Sequence, residues 1–194
     1  GDLRQWFGGL WFRLARKRKF AAVLVPGASG RRLARWYGFT DEEIAEGLYG
    51  ADPAVFFDGP PLAARPKRIL FVGQYIERKN CVGLAKAFAS VAARLPEWEL
   101  HLYGSGPLQD KIPAHPRIKV HGFVQPAELG ALYRSARIFA LPSHSEAWGL
   151  VVHEAALSGC QLLLSATTGS RQDFATQMNA AEFPAGDRDA LAQA

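Results

Sequence analysis

Apolar and polar positions along the chain take on a regular rhythm near residue 67. From there to the end, short apolar runs alternate with longer amphipathic stretches. The predicted strands lie in the segments RILFVG, WELHLYG, RIKVHG, IFALPS, QLLLSA and EFPAG. Strands that alternate with helices in this way are typical of stacked βαβ crossovers. The pattern therefore predicts an α/β domain over 67–194, with a Rossmann-like parallel sheet covered by helices on both faces.

The first 66 residues have a different pattern. Aromatic and basic residues recur at helical spacing over 4–19, which predicts a basic amphipathic helix. This helix has two interpretations, packing against a sheet and peripheral contact with an anionic membrane surface. A short strand, a helix and a capping box formed by Thr40 and Glu43 follow. Five Pro or Gly residues in 51–66 predict an interdomain linker between residues 1–50 and 67–194.

The distribution of charge narrows the classes of partner. The chain has 194 residues and a net charge of +5. Nine of its 23 Lys and Arg residues lie within the first 35 positions, and the rest of the chain is slightly acidic. A nucleic-acid-binding domain carries a basic face through its folded body, so we expect no nucleic-acid partner.

Cellular location is predicted from three features. No stretch has the roughly 20 consecutive apolar residues of a membrane span, and no signal peptide is recognisable. Cys81 and Cys160 are the only cysteines, which suits a reducing compartment. We therefore expect a cytoplasmic location, with the basic helix allowing contact with the inner face of the membrane. Because the chain begins at Gly1 and not at Met, we also expect it to be part of a longer protein.

Ligands of parallel sheets bind beyond the carboxyl ends of the strands, so the loops after the strands are informative. The first is GQYIERKN, in which Gly73 ends a strand. Arg78 and Lys79 then precede a helix whose predicted N-cap is Asn80. Two cations beside a helix N-terminus are suited to phosphate, although a solvated basic turn explains them as well.

The next two loops offer backbone and apolar surface. Gly104 and Gly106 in GSGPLQ allow close approach of the backbone to a ligand or a neighbouring loop. The segment resembles a dinucleotide fingerprint only weakly because Gln109 replaces its third glycine, so an NAD-linked dehydrogenase is not favoured. In GFVQPAE, Phe123 and Val124 form an apolar edge on which a flat base can rest, and core packing explains them equally well.

The fourth loop carries the strongest signal. Ser143 ends a strand, Glu146 stands in the loop, and a helix begins at residues 149–151 with Glu154 on its second turn. A glycine at a helix start exposes backbone N–H groups to phosphate. Carboxylates beside such a site are suited to neutral donors such as sugar hydroxyls. Taken singly, each glutamate also has a simpler explanation, as a solvated or helix-dipole charge.

The motif SEAWGLVVHEA has two glutamates separated by seven residues, and FALPS, LSGCQLLLS and TTGS flank it. The segments VGQYIERKN, HLYGSGP, VHGF and FPAGD occur in the corresponding order from about residue 68 to the end. This combination resembles the retaining, GT-B-fold glycosyltransferases of family 4. The resemblance implies that 67–194 is the C-terminal, nucleotide-sugar-binding half of a GT-B fold. Residues 1–50 would then be a remnant of the N-terminal domain, which binds the acceptor.

By this resemblance, Glu154 would bind the ribose, Glu146 the donor sugar, and Lys79 and Arg78 the diphosphate. The resemblance also implies that the backbone of Gly149, Leu150 and Val151 helps to hold the donor. Further substrate contacts are expected from residues in the four loops, namely Gly73, Gln74, Gly104, Gly106, Phe123, Val124, Ser143 and Trp148. Two of these depart from the family pattern, because Gln74 stands where Arg is common and Trp148 where Phe is usual.

The implied reaction transfers a sugar from a nucleoside diphosphate to an unidentified acceptor hydroxyl with retention of configuration. Lys79 and Arg78 would stabilise the departing diphosphate, so no metal or other cofactor is expected. The D-x-D sequence at Asp187 and Asp189 is interpreted as a helix N-cap and not as a metal site. The alternative function is a non-catalytic nucleotide-sugar-binding module that retains the fold.

Overall fold

The computed structural model describes residues 3–47 and 50–194, apart from the side chains of Arg4 and Gln5. The chain forms two compact units, Gly1–Gly50 and Ala51–Ala194. Each unit has its own hydrophobic core. In the described part of the chain, no helix has both the length and the apolar character needed to cross a bilayer.

The first unit contains two short parallel strands and two helices. Its elements are α1 (Leu3–Trp11), β1 (Val23–Val25), α2 (Gly27–Trp36) and β2 (Ile44–Glu46), with β1 and β2 paired. After α1, the helix continues as a π-helical turn and a 3-10 turn to Lys19, as the 4–19 pattern predicts. Trp6 and Trp11 are more than half exposed. The predicted capping box is present, with the Thr40 N–H donating to Glu43 Oε2 at 2.9 Å.

The second unit is a doubly wound α/β domain. Its strands are β3 (Arg68–Val72), β4 (Glu99–Tyr103), β5 (Ile118–His121), β6 (Ile138–Leu141), β7 (Gln161–Ser165) and β8 (Ala180–Phe183). Its helices are α3 (Cys81–Val91), α4 (Pro126–Arg134), α5 (Leu150–Leu157), α6 (Arg171–Phe174) and α7 (Arg188–Gln193). Every pair of neighbouring strands is parallel, which confirms the predicted Rossmann-like sheet.

The order of the strands across the sheet is β5-β4-β3-β6-β7-β8. The chain starts at the centre with β3, proceeds outward to β5, and returns across the sheet to β6. Leu70, Leu102 and Phe139 in the central strands are fully buried, because both faces of these strands are covered. The reversal leaves a crevice where β3 and β6 end, and in doubly wound sheets this is where ligands bind.

Residues 51–66, which the sequence analysis assigns to an interdomain linker, pack on the second unit. The ring of Phe56 lies 5.9 Å from that of Tyr133, measured between centroids. Arg65 is buried and donates to the carbonyl oxygens of Pro60 at 2.7 Å and Ala136 at 3.1 Å. These contacts attach the segment to the end of α4, so it belongs to the folded body of the second unit.

The two cysteines are free and buried. Burial raises the pKa of Cys81 to about 11 and that of Cys160 to about 12. Both thiols are therefore protonated near neutral pH and serve as small apolar groups in the core.

Two hydrogen-bonded histidines lie on adjacent strands of the sheet. His121 Nε2 is 3.1 Å from His101 Nδ1, and His101 Nε2 is 3.0 Å from Glu99 Oε2. Burial lowers the pKa of both rings, and the positive charges of Arg68 and Lys119 lower them further. Glu99 opposes this shift at His101 without reversing it. The pair is consequently neutral in the folded chain over a pH range in which exposed histidines are charged.

Stability against urea is expected to fall as the pH decreases below about 6.5, the ordinary pKa of histidine. In that range the unfolded chain binds protons that the folded chain does not, so the free energy of unfolding decreases. Urea midpoints measured by circular dichroism from pH 7.5 to 5 test this expectation. A chain carrying both His101→Phe and His121→Phe should show a flatter profile. The control His144→Asn changes an exposed histidine and should retain the pH dependence of the unsubstituted chain. Equal pH dependence in all three chains would show that His101 and His121 do not cause it.

Candidate functional site

The loops that follow β3 and β6 meet at the crevice in the sheet. The backbone N–H of His144 donates to the carbonyl oxygen of Arg78 at 2.8 Å. The side chain of Asn80 donates from Nδ2 to the carbonyl oxygen of Pro142 at 3.2 Å. Arg78 Nη1 donates to the carbonyl oxygen of Ser145 at 2.9 Å. These three hydrogen bonds therefore join two of the four predicted loops, in addition to the ion pairs between them.

Asn80 is the N-cap residue of α3, as predicted, but it does not cap the helix through its side chain. It occupies the N-cap position of α3, but its backbone is left-handed, with φ of 53°, and its side chain caps no helix N–H. The side chain instead reaches Pro142 in the facing loop. Asparagine tolerates this backbone conformation better than most residues do, so it can both turn the chain and join the loops.

An ionic cluster occupies the junction of these two loops. Lys79 Nζ makes a close ion pair with Glu146 Oε2, and Arg78 Nη1 lies 3.3 Å from the same oxygen. The side chains of Lys79 and Glu146 are 13% and 11% exposed, whereas that of Arg78 is 47% exposed. Two cations thus face one carboxylate, which leaves a net positive charge at the crevice. The cluster brings together the three residues to which the family resemblance assigns the donor sugar and the diphosphate.

The start of α5 lies beside this cluster. Gly149 is its N-cap, with a left-handed φ of 89°, and a Cβ atom there would lie 3.1 Å from Glu146 Cγ. A non-glycine residue would therefore be strained and crowd the glutamate. The first N–H groups of the helix, at Leu150 and Val151, have no acceptor within the helix itself and carry its positive dipole end.

The loop after β7 supports Glu146 from behind. The N–H of Gly169 donates to the carbonyl oxygen of Glu146 at 2.8 Å, and that of Ser170 donates to the carbonyl oxygen of Trp148 at 2.9 Å. The Ser170 hydroxyl also donates to the carbonyl oxygen of Gly149 at 3.2 Å. These bonds hold both ends of the segment that carries the glutamate.

The glycines of GSGPLQ allow a close approach between loops. A Cβ atom at Gly104 would lie 1.9 Å from the carbonyl oxygen of Gly73, and one at Gly106 would lie 2.6 Å from that of Tyr75. The Gly104 N–H donates to the carbonyl oxygen of Gly122 at 3.1 Å. The loops after β3, β4 and β5 are thus packed backbone to backbone, and the neighbouring-loop interpretation of these glycines is confirmed.

Glu154 lies apart from the ionic cluster, on the second turn of α5. It is buried, with 8% exposure, and its Oε2 accepts a hydrogen bond from the Tyr133 hydroxyl at 2.9 Å. Burial raises the pKa of this carboxyl, and the hydrogen bond from Tyr133 opposes the rise. No contact joins Glu154 to Glu146 or Lys79 in the described residues.

The remaining predicted side chains vary in exposure. Gln74 and Phe123 point to solvent, and Phe123 is 70% exposed, whereas Val124 is half-buried. Trp148 is buried, with its ring 5.9 Å from that of Phe174. Phe123 therefore offers an open ring face at the sheet edge, whereas Trp148 packs inside the loop.

Ser143 acts through its backbone. Its carbonyl oxygen accepts hydrogen bonds from the hydroxyls of Ser165 at 2.6 Å and Thr167 at 2.9 Å. It therefore links the end of β6 to the end of β7.

Tyr133 and the supporting bonds from Gly169 and Ser170 are not evident from the sequence. Tyr133 lies in the helical pattern of α4, where a tyrosine is indistinguishable from a core aromatic residue. The segment TTGS contributes to the family resemblance, but its hydrogen bonds to Glu146 and Trp148 depend on where β7 pairs with β6.

The arrangement is suited to an anion that carries hydroxyl groups. Lys79, Arg78 and the start of α5 supply positive charge, and the two glutamates supply acceptors for neutral donors.

The D-x-D sequence forms a helix N-cap, as predicted. Asp187 Oδ1 accepts hydrogen bonds from the N–H groups of Asp189 and Ala190. Within the described ranges, no three His, Cys, Asp or Glu side chains gather in a metal-binding cluster.

Comparison with known proteins gives consistent results. The family model described as glycosyl transferases group 1 matches residues 66–194. A D-inositol 3-phosphate glycosyltransferase of Corynebacterium kroppenstedtii is 28% identical over 172 residues, which cover 76% of this chain and 38% of that protein. The chain spans between 28% and 38% of the length of the curated relatives that it matches.

Solved structures with the same fold include a sucrose-phosphate synthase and the protein HepE. Sucrose-phosphate synthase from Thermosynechococcus elongatus has a TM-score of 0.72 and 24% identity, covering 89% of this chain and 47% of its own. HepE of Anabaena, solved in complex with UDP and glucose, has a TM-score of 0.74 and 17% identity, covering 98% of this chain and 57% of its own. At these identities the similarity establishes the fold, which is that of GT-B glycosyltransferases.

Proposed function

This chain belongs to the glycosyl transferases group 1 family, and on that premise we propose that it is the donor-binding part of a retaining glycosyltransferase. The reaction transfers a sugar from a nucleoside diphosphate to an acceptor hydroxyl. The acceptor is bound by a domain of which residues 1–50 form a part. The complex of HepE with UDP and glucose supports a nucleoside-diphosphate donor, since that protein has the same fold.

The observation that carries this proposal is the ionic cluster at the crevice of the sheet. Lys79 and Arg78 lie beside the start of α5, so their cations and the helix N–H groups converge on one location. A diphosphate has the charge and the number of acceptor oxygens to bind all of these donors. Glu146 pairs with both cations until a ligand with greater negative charge displaces it.

The two glutamates bind different parts of the donor. Glu154 accepts hydrogen bonds from the ribose hydroxyls, because it is a buried carboxylate on the same helix that faces the phosphates. Glu146 accepts from a hydroxyl of the transferred sugar, after the diphosphate has engaged Lys79 and Arg78. Exposed Phe123 provides a surface on which the nucleobase stacks.

The site accelerates the reaction by electrostatic stabilisation of the leaving group. When the anomeric bond breaks, negative charge moves onto the departing diphosphate, and Lys79, Arg78 and the start of α5 are already in place to stabilise it. Preorganised positive charge of this kind requires no metal ion. The protein acts in the cytoplasm, where nucleotide sugars are the donors, and α1 lies against the anionic inner face of a membrane that carries the acceptor.

Titration of the 194-residue chain with UDP, GDP and ADP is expected to show binding of at least one nucleotide, with a dissociation constant below 1 mM, or about 4 kcal/mol. Glu154→Gln should weaken this binding about tenfold, because an amide accepts the ribose hydroxyls less strongly than a carboxylate does. Isothermal titration calorimetry gives both values. The matched control is Glu128→Gln, which changes an exposed glutamate on α4.

Absence of binding by all three nucleotides at millimolar concentration would contradict the proposed function. If Glu154→Gln and Glu128→Gln bound with equal affinity, the nucleotide site would remain but the ribose role of Glu154 would be wrong.

A further inference from the structure

The side chain of Tyr133 is held rigidly in the core of the second unit. It is fully buried, and its ring makes edge contacts with the rings of Phe56 at 5.9 Å and Phe139 at 5.6 Å. Its backbone carbonyl oxygen accepts a hydrogen bond from Cys160 Sγ at 3.2 Å. The ring therefore has one position, and the hydroxyl at its end points in one direction.

The hydroxyl of Tyr133 has one partner in the described residues, Oε2 of Glu154, at 2.9 Å. A buried hydroxyl is unfavourable unless it forms a hydrogen bond, so the position requires an acceptor at this place. Phenylalanine would satisfy the apolar surroundings equally well. The hydrogen bond to Glu154 is thus the reason that a tyrosine, and not a phenylalanine, fits this position.

The bond also determines what Glu154 can do. It occupies Oε2 and leaves Oε1 without a partner among the described residues. A carboxylate with one oxygen fixed presents the other in a defined direction, which lowers the entropy lost when a ligand hydroxyl binds. In addition, burial raises the pKa of the Glu154 carboxyl, and the hydrogen bond from Tyr133 opposes that rise.

We propose that Tyr133 is a positioning residue for nucleotide recognition, whose fixed hydroxyl orients Glu154 so that its free oxygen accepts a ribose hydroxyl. This inference rests on the proposed function, because it assigns a residue to the ribose contact of that same site. Tyr133 does not touch the ligand and acts through the carboxylate.

If Tyr133 acts through Glu154, its loss should weaken only ligands that carry ribose hydroxyls. Tyr133→Phe removes one oxygen and keeps the ring, so the core packing is retained. We expect it to weaken binding of the tightest of UDP, GDP and ADP about tenfold, the effect of losing a hydrogen bond to a charged group. Binding of the matching 2′,3′-dideoxynucleoside diphosphate should change less than twofold, because that ligand has no hydroxyl for Glu154 to accept from.

Calorimetric titration of both ligands against the unsubstituted chain, Tyr133→Phe, Glu154→Gln and the double variant measures this selectivity. In the Glu154→Gln background, Tyr133→Phe should have little further effect, since the residues act as one unit. Tyr103→Phe is the matched control, because it removes a tyrosine hydroxyl at the end of β4 and leaves Tyr133 and Glu154 unchanged. Urea unfolding of each variant verifies that it is folded under the conditions of titration.

The outcomes separate the two proposals. If the unsubstituted chain bound none of the nucleotides, the proposed function would be wrong, and this inference with it. If it bound a nucleotide but Tyr133→Phe weakened the ribose and dideoxyribose ligands equally, Tyr133 would be a purely structural residue and this inference alone would be overturned. Independent effects of the two substitutions in the double variant would also overturn it.

Discussion

Lys79→Met is expected to weaken nucleoside-diphosphate binding about 100-fold and to reduce sugar transfer at least as much. The substitution removes the less exposed of the two cations that meet Glu146. It also leaves the glutamate with one partner, Arg78 at 3.3 Å, so that its negative charge repels the incoming diphosphate. The lost attraction and the new repulsion both weaken binding of the diphosphate. Calorimetry with the tightest-binding nucleotide measures the effect.

Two further variants test the physical reason for this effect. Lys86→Met is the matched control, since Lys86 is an exposed lysine on α3, and we expect unchanged binding. Adding Glu146→Gln to Lys79→Met removes the uncompensated carboxylate and should recover part of the lost affinity. A double variant as weak as Lys79→Met would show that repulsion by Glu146 contributes nothing. Full affinity in Lys79→Met would exclude the lysine from the phosphate site.

Gly104→Ala is expected to lower the free energy of unfolding by about 3 kcal/mol and to abolish measurable nucleotide binding. The added Cβ would lie 1.9 Å from the carbonyl oxygen of Gly73, and a backbone oxygen has little room to move. The φ of 142° is itself unfavourable for alanine. Relief of the clash requires the loops after β3 and β4 to separate, which displaces the loop that carries Lys79. Urea unfolding and calorimetry give the two values.

Gly122→Ala is the control for this prediction. A Cβ atom at Gly122 would meet no heavy atom within 4 Å, although the residue lies at the same edge of the sheet. We expect its stability to change by less than about 0.5 kcal/mol. If Gly104→Ala were as stable as Gly122→Ala, the close packing of the loops would be wrong.

The elements of the second unit follow from local patterns. Runs such as RILFV and QLLLS are apolar at their three central positions because interior strands of a parallel sheet are covered on both faces. The connections between successive strands, most of which contain an α-helix, are long enough for crossovers, so the parallel arrangement follows from the alternation. The packing of residues 51–66 on this unit was less evident, because Pro and Gly interrupt periodicity in linkers and in packed irregular segments alike.

The sequence predicts which residues belong to the candidate site, but it does not predict which of them contact each other. Glu146 and Lys79 were identified because a carboxylate and a cation beside helix starts have a chemical use. Their ion pair was not predicted, since the two residues are 67 positions apart in the chain. Tyr133 was missed because its position in a helix gives no sign of the acceptor that meets its hydroxyl.

The sequence by itself thus determined the alternation of strands and helices, the loops that carry charge, and the family resemblance. These features depend on spacing along the chain, which local hydrophobicity and backbone preference control. Only the tertiary structure decided which loops face each other, because strand order and register place β3 beside β6 and so bring Lys79 to Glu146. It also decided the partner of Glu154, because a buried carboxylate is stabilised by whichever donor the packing of α4 on α5 brings within reach.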